Sequence, residues 1–189
     1  WTDLVIVRKQ PFTSAGKRTN ILLMNSKGVL KDRTAAFAGA SDVPGDQGFL
    51  TPTNDRDVMI ADFDGDTWLD LVTATTLSDN DPKHISHPRI YMNLGRNAAG
   101  QWLGFRHEDA RIPQLFSFTS GNAQAPRFCR DGVGDVTNDG APDLFFGDYD
   151  SSGAGGVGEP FGGDLNHRLL INDGNGYFTH QSPPPMSSD

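Results

Sequence analysis

The sequence predicts an all-β chain built from four-stranded antiparallel units, the kind that form the blades of a β-propeller. Three observations predict it. Two acidic loops of matching pattern recur, each running into a short apolar strand. A second signature, a short apolar strand that ends at Asn, keeps the same phase. The 22 glycines and 12 prolines punctuate the chain too densely for long helices.

The acidic loops set the repeat. Asp62-Phe63-Asp64-Gly65-Asp66-Thr67-Trp68-Leu69-Asp70 is one copy, and Asp135-Val136-Thr137-Asn138-Asp139-Gly140-Ala141-Pro142-Asp143 is the other. The opening Trp1-Thr2-Asp3-Leu4-Val5 matches the back half of the first copy, with Trp1 on Trp68 and Asp3 on Asp70. Asp3, Asp70 and Asp143 stand 67 and 73 residues apart, a period of about 70 residues. In phase with them run Asn20–Asn25, Arg89–Asn93 and Arg168–Asn172, each an apolar strand closing on Asn before a turn that contains Gly. Asn and Gly tolerate positive φ, so such turns read as hairpins. Each unit therefore reads strand, acidic loop, strand, variable loop, strand, tight turn, strand. A β-sandwich would use the same hairpins, but it has no reason to repeat an acidic loop at fixed phase.

The repeats fall at about residues 1–61, 62–134 and 135–189. Three incomplete units do not close a propeller, which takes four to eight blades. The chain is therefore expected to be a processed or trimmed piece, with its remaining blades on the parent chain or on a partner. Hydrophobic residues at 36% and charged residues at 21% make it globular rather than disordered. The net charge of −8 argues against nucleic acid and against anionic membranes, and it suits a protein that collects cations. No apolar run reaches the roughly 18 residues of a membrane span. The single cysteine, Cys129, forms no internal disulfide and reads as a buried structural thiol.

The loop spacing carries the chemistry. Carboxylates at positions 1, 3, 5 and 9, with the backbone carbonyl of position 7, make a compact all-oxygen cage. Such a cage suits Ca²⁺, which takes six to eight oxygens at about 2.3–2.6 Å. The first loop offers Asp62, Asp64, Asp66 and Asp70 with the Trp68 carbonyl. The second offers Asp135, Asp139 and Asp143 with Thr137 and the Ala141 carbonyl. So many carboxylates in nine residues repel one another without a cation. Neither loop holds His or Cys, which argues against zinc and copper. Two Ca²⁺ sites are expected, and Asp3 marks an empty half-site. Thr67 stands where the second loop has Gly140, and a β-branched residue there is strained if its φ is positive.

The two loops, the downstream strands ending at Asn, and Asp173-Gly174-Asn175-Gly176-Tyr177-Phe178 together resemble the FG-GAP/VCBS repeat family over nearly the whole chain. The resemblance implies a seven-bladed propeller outside the cell, with Ca²⁺ bracing the loop between the first two strands of a blade. Thr67, Thr137 and the long insert from Ser151 to Asn166 depart from that pattern. It implies no particular ligand, since function lives in sites grafted onto folds.

No catalytic constellation stands out. The glycines from Gly153 to Gly163 lack the Lys-Ser/Thr of a phosphate loop and read as a flexible connection. His84 and His87 share a loop with Asp79 and Asp81, and surface polarity explains them better than a transition metal. Trp102 is a candidate stacking surface for sugar. The leading expectation is a non-enzymatic, secreted or cell-surface calcium-binding module for adhesion, contacting protein or glycan. The scaffold portion of a secreted enzyme and a lectin are the competing readings.

Overall fold

A computed structural model of the chain describes residues 2–11, 15–78, 81–115, 117–119, 122–124, 127–148 and 167–181. It is all-β. The first sheet holds β1 (Leu4–Ile6), β2 (Ile21–Ser26) and β3 (Val29–Asp32). The second holds β4 (Ala40–Ser41), β5 (Asp55–Ala61), β6 (Asp70–Thr75), β7 (Arg89–Asn93) and β8 (Phe105–His107) in the order β4-β8-β7-β6-β5. A two-stranded hairpin, β9 (Ser117–Thr119) and β10 (Asn122–Gln124), comes next in the chain. The last sheet is a four-stranded meander of β11 (Phe128–Gly134), β12 (Asp143–Asp148), β13 (Arg168–Asn172) and β14 (Phe178–Gln181). Among the described residues helix is confined to single turns, such as α1 (Thr34–Phe37) and α2 (Lys83–Ser86).

Two of the sheets therefore carry the expected antiparallel four-strand run, β5 to β8 and β11 to β14. The second sheet departs from it by gaining β4, which pairs parallel to β8 through Ala40↔Arg106 and Ser41↔His107. Repetition within a unit does not encode that strand. It comes from the connection between units, held by the buried ion pair of Arg89 and Asp46.

Burial explains why β6 looks unlike an ordinary half-exposed strand. All six of its residues are buried. Successive side chains point to opposite faces. Leu71 joins Tyr91, Phe105, Leu22 and Phe49 in one cluster. Val72 and Ala74 join Ile90, Met92, Phe128, Leu144, Phe146, Leu170 and Phe178 in another. The second sheet is thus covered by the first sheet on one face and by the last sheet on the other. Its edge strand β5 lies against β11 of the last sheet. Among the described residues the sheets do not close into a ring.

Candidate metal centre

The first acidic loop is shaped by its own aspartates. Asp62 accepts hydrogen bonds at Oδ1 from the Gly65 and Asp66 N–H groups (2.8 and 3.1 Å) and at Oδ2 from the Thr67 N–H (2.8 Å). Asp66 Oδ1 accepts from the Trp68 N–H at 2.8 Å. Short acidic side chains that bond to nearby backbone favour such turns over regular structure. The second loop repeats the pattern. Asp135 accepts from the N–H groups of Asp139 (3.1 Å) and Gly140 (2.9 Å), and Asp139 accepts from the Ala141 N–H (2.9 Å).

Both loops place positions 4 and 6 in the left-handed region: Gly65 (φ 75°) and Thr67 (φ 75°) in one, Asn138 (φ 61°) and Gly140 (φ 92°) in the other. Asn and Gly suit that region, whereas Thr67 is strained there. Thr67→Gly is expected to stabilise the protein by about 1 kcal/mol. Relief of roughly 1–3 kcal/mol of strain exceeds the roughly 0.5–1 kcal/mol entropic cost of a glycine. Chemical denaturation of the two proteins side by side checks it.

Position 9 has a role that spacing did not reveal. Asp70 Oδ2 accepts from the Phe63 N–H (3.0 Å), and Oδ1 accepts from the Asn93 N–H (2.7 Å). Asp143 does the same with Val136 (2.9 Å) and Asn172 (2.9 Å). Asp3 Oδ1 accepts from the Asn25 N–H at 2.7 Å. One brace is therefore built three times, tying the start of one strand to the Asn that ends the next. Each Asn also caps its turn, accepting at Oδ1 from Gly28, Gly95 or Gly174. The matching phase of Asp and Asn was the signal for this pairing.

Asp62, Asp64 and Asp70 each offer a carboxylate oxygen, and these oxygens lie within 4.8 Å of one another. Among the described residues it is the one group of three side chains able to hold a metal ion. Asp66 is exposed and outside the group. The second loop brings no such group together, because Thr137 stands where Asp64 stands, its hydroxyl donating to Asp135 Oδ1 at 3.4 Å. Burial pushes the Asp70 carboxyl up to about 7, with the charges of Asp64 and Asp66 adding to it. Burial and the Asp66 charge also raise Asp64. Clustered carboxylates, with Asp64 and Asp70 resisting ionisation, are the electrostatic complement of a cation, and an all-carboxylate donor set fits a hard one.

The loop also reaches the last sheet. Phe63 is fully buried, edge-on to Phe178 with ring centroids 5.7 Å apart. Its carbonyl accepts from Asn172 Nδ2 at 2.8 Å. Gly176 (φ 78°) packs beside Asp64 and Arg111, where an added Cβ would lie 2.6 Å from Arg111 Nη1. Order in this loop is therefore order at the joint between two sheets.

Several sequence expectations change. Trp102 is no exposed platform: it is half-buried, stacked on Phe37 at 5.2 Å, edge-on to Phe105 at 5.3 Å, and its Nε1 donates to Asn93 Oδ1 at 2.7 Å. His87 is buried rather than superficial, with Leu115 and Ser86 around its ring, and burial pushes its pKa down to about 4. Cys129 is half-buried and contacts the Gly147 carbonyl. Trp1, Asp79 and the stretch 151–166 lie outside the described residues. Ser41, His107 and Asp46 meet in space, but hydroxyl and carboxylate both approach the same ring nitrogen, Nδ1, at 3.1 and 3.5 Å. A proton relay needs them on opposite nitrogens. No protein-family model matches the chain, and no curated protein matches it.

Proposed function

We propose that the chain is a calcium-binding part of an extracellular β-propeller that contacts protein or glycan and carries out no catalysis itself. The observation that carries the reading is the meeting of Asp62, Asp64 and Asp70 in a loop whose backbone they also organise. The threefold brace and the stacked four-stranded meanders support the likeness to FG-GAP/VCBS blades. Calcium near the millimolar level outside cells fills even weak sites of this type. Bound there, it would hold Phe63 and the Asn172 contact in place and so stiffen one sheet against the next. The second loop, with Asp135, Asp139 and Asp143, is proposed as the weaker of two sites.

Calorimetric titration with Ca²⁺ tests the reading. One site is expected to disappear in Asp64→Asn, and a wild-type protein that binds no Ca²⁺ at millimolar concentration refutes it. The affinity is also expected to depend on pH. Without metal, the Asp70 carboxyl gains its proton as the pH falls through about 7, and an incoming cation must displace that proton. Affinity should therefore fall by up to about tenfold per pH unit below 7 and level off above about 8. Titrations at pH 6, 7 and 8 measure it.

A further inference from the structure

The seam between the second and last sheets holds two carboxyls that the loops do not use. In β5 and β6, Asp57 pairs with Ala74, and in β11 and β12, Asp131 pairs with Phe146. Cross-strand partners share a face. Ala74 and Phe146 belong to the one core between these sheets, so Asp57 and Asp131 face each other across it. Asp131 is 9% exposed, and neither of its carboxylate oxygens meets a hydrogen-bond donor. Asp55 shows what a satisfied buried carboxylate looks like in this fold. It lies on the opposite face of β5, opposite Thr75, and accepts from Asn20 Nδ2 (2.5 Å), Thr53 Oγ1 (2.8 Å) and Thr75 Oγ1 (2.7 Å). Asp131 has no such set.

Both strands also carry a bulge just before these residues, between Asp55 and Asp57 and between Phe128 and Arg130. A bulge disrupts the ladder and re-aims the side chains beside it. Burial first, then the Asp57 charge, a carboxyl–carboxyl hydrogen bond with Asp57 once the two share a proton, and the Asp55 charge raise the Asp131 pKa to about 8, against the pull of its own backbone N–H. A buried carboxylate without donors, facing another carboxylate, is costly unless something positive joins the pair. One shared proton satisfies only one of the oxygens. A divalent ion engages oxygens of both residues and neutralises both charges.

We propose that Asp57 and Asp131 hold a second kind of cation site, across the seam between the two sheets, for a hard divalent ion such as Ca²⁺ or Mg²⁺. Asp57 is only half-buried, so the ion keeps part of its water shell on that side. The ion would take ligands from both sheets, whereas the first acidic loop draws its carboxylates from one sheet and reaches the next through Phe63.

The test removes the loop sites first. In an Asp64→Asn, Asp135→Asn background, Ca²⁺ and Mg²⁺ alone are titrated at pH 8 by calorimetry and by thermal unfolding. One ion per chain is expected to remain and to raise Tm by several degrees. Adding Asp131→Asn, or separately Asp57→Asn, should weaken that binding at least tenfold and remove the shift. Asparagine keeps the shape of aspartate, and agreement between the two variants guards against a folding defect in either. The proposal is overturned if the background binds no ion, or if binding survives both substitutions. A shared proton only is the third outcome, and it too overturns the proposal: Asp131→Asn then raises the metal-free Tm at pH 8 and leaves the ion count unchanged. Loop calcium binding is judged in the wild type against Asp64→Asn, so the two ideas fail separately.

Discussion

Arg89→Ala is expected to cost the protein about 3–5 kcal/mol, the loss typical of breaking a buried ion pair from one side. Arg89 and Asp46 are both fully buried, and the guanidinium grips the carboxylate with Nη1 at 3.0 Å and Nη2 at 2.9 Å. Its Nε donates to Tyr91 Oη at 2.6 Å, and its remaining donors reach the carbonyls of Gly48 and His84. Alanine at this position strands the Asp46 charge in the core with the Gly48 N–H and His107 as its remaining partners. The urea midpoint should fall with little change of slope, because the same surface is exposed on unfolding. Replacing both partners with apolar residues, as in Arg89→Met with Asp46→Leu, should recover much of the loss. Acid offers a second reading of the same pair. Burial alone would raise the Asp46 carboxyl, but His107 and Arg89 hold it well below the usual carboxylate range. A lowered folded-state pKa contributes stability that is complete above the unfolded value near 4 and is lost as pH falls below it. The wild type should therefore weaken below about pH 4 through this pair, and the apolar double variant should lack that contribution.

The second large effect is that of the metal. A ligand that binds only the folded state at one hundred times its Kd adds about 2.7 kcal/mol. For a chain of 189 residues that corresponds to a rise in Tm of roughly 5–11 °C, at about 2–4 °C per kcal/mol. Calcium is expected to produce such a rise, chelation to reverse it, and Asp62→Asn to abolish the part due to the first loop. Asp62 is the sharper choice of variant for folding, because it accepts three of the loop's own N–H groups. Asp64→Asn is the cleaner one for metal, since it accepts one long backbone bond of 3.3 Å from Asp66. If both loops behaved as solvated acidic turns, Asp62→Asn and Asp64→Asn would leave the calcium-induced rise in Tm unchanged, because an ion without preference for the folded loop cannot stabilise it there.

Much of this site was legible in the residues. Loop spacing, hairpin turns and strand alternation are local, and the backbone obeys them over stretches of fewer than ten residues. The strain at Thr67 was likewise readable from the register of the two loops, and its φ of 75° bears this out. Trp102 and His87 were misread for one reason: both are polar-tipped or amphipathic residues near turns, and only packing decides which side of such a residue meets water. The parallel strand β4 escaped notice because nothing in Ala40-Ser41 announces a strand. Its pairing depends on a segment anchored through Asp46 to Arg89, 43 positions along the chain.

The sequence by itself determined the all-β character, the phase of the repeat, the aspartates of the two loops and the strands that close on Asn. Those features arise from interactions between near neighbours, so composition and spacing carry them. Tertiary structure alone decided which aspartates gather. Asp62, Asp64 and Asp70 meet around one point, while Asp66, of the same type in the same loop, stays in solvent. It also decided that Asp70 and Asp143 brace strands as well as lining loops, and that Asp131 faces Asp57 across a seam 74 residues wide in sequence. The physical reason is that burial and facing direction depend on which sheet covers which, and contacts between sheets join residues that no local pattern links.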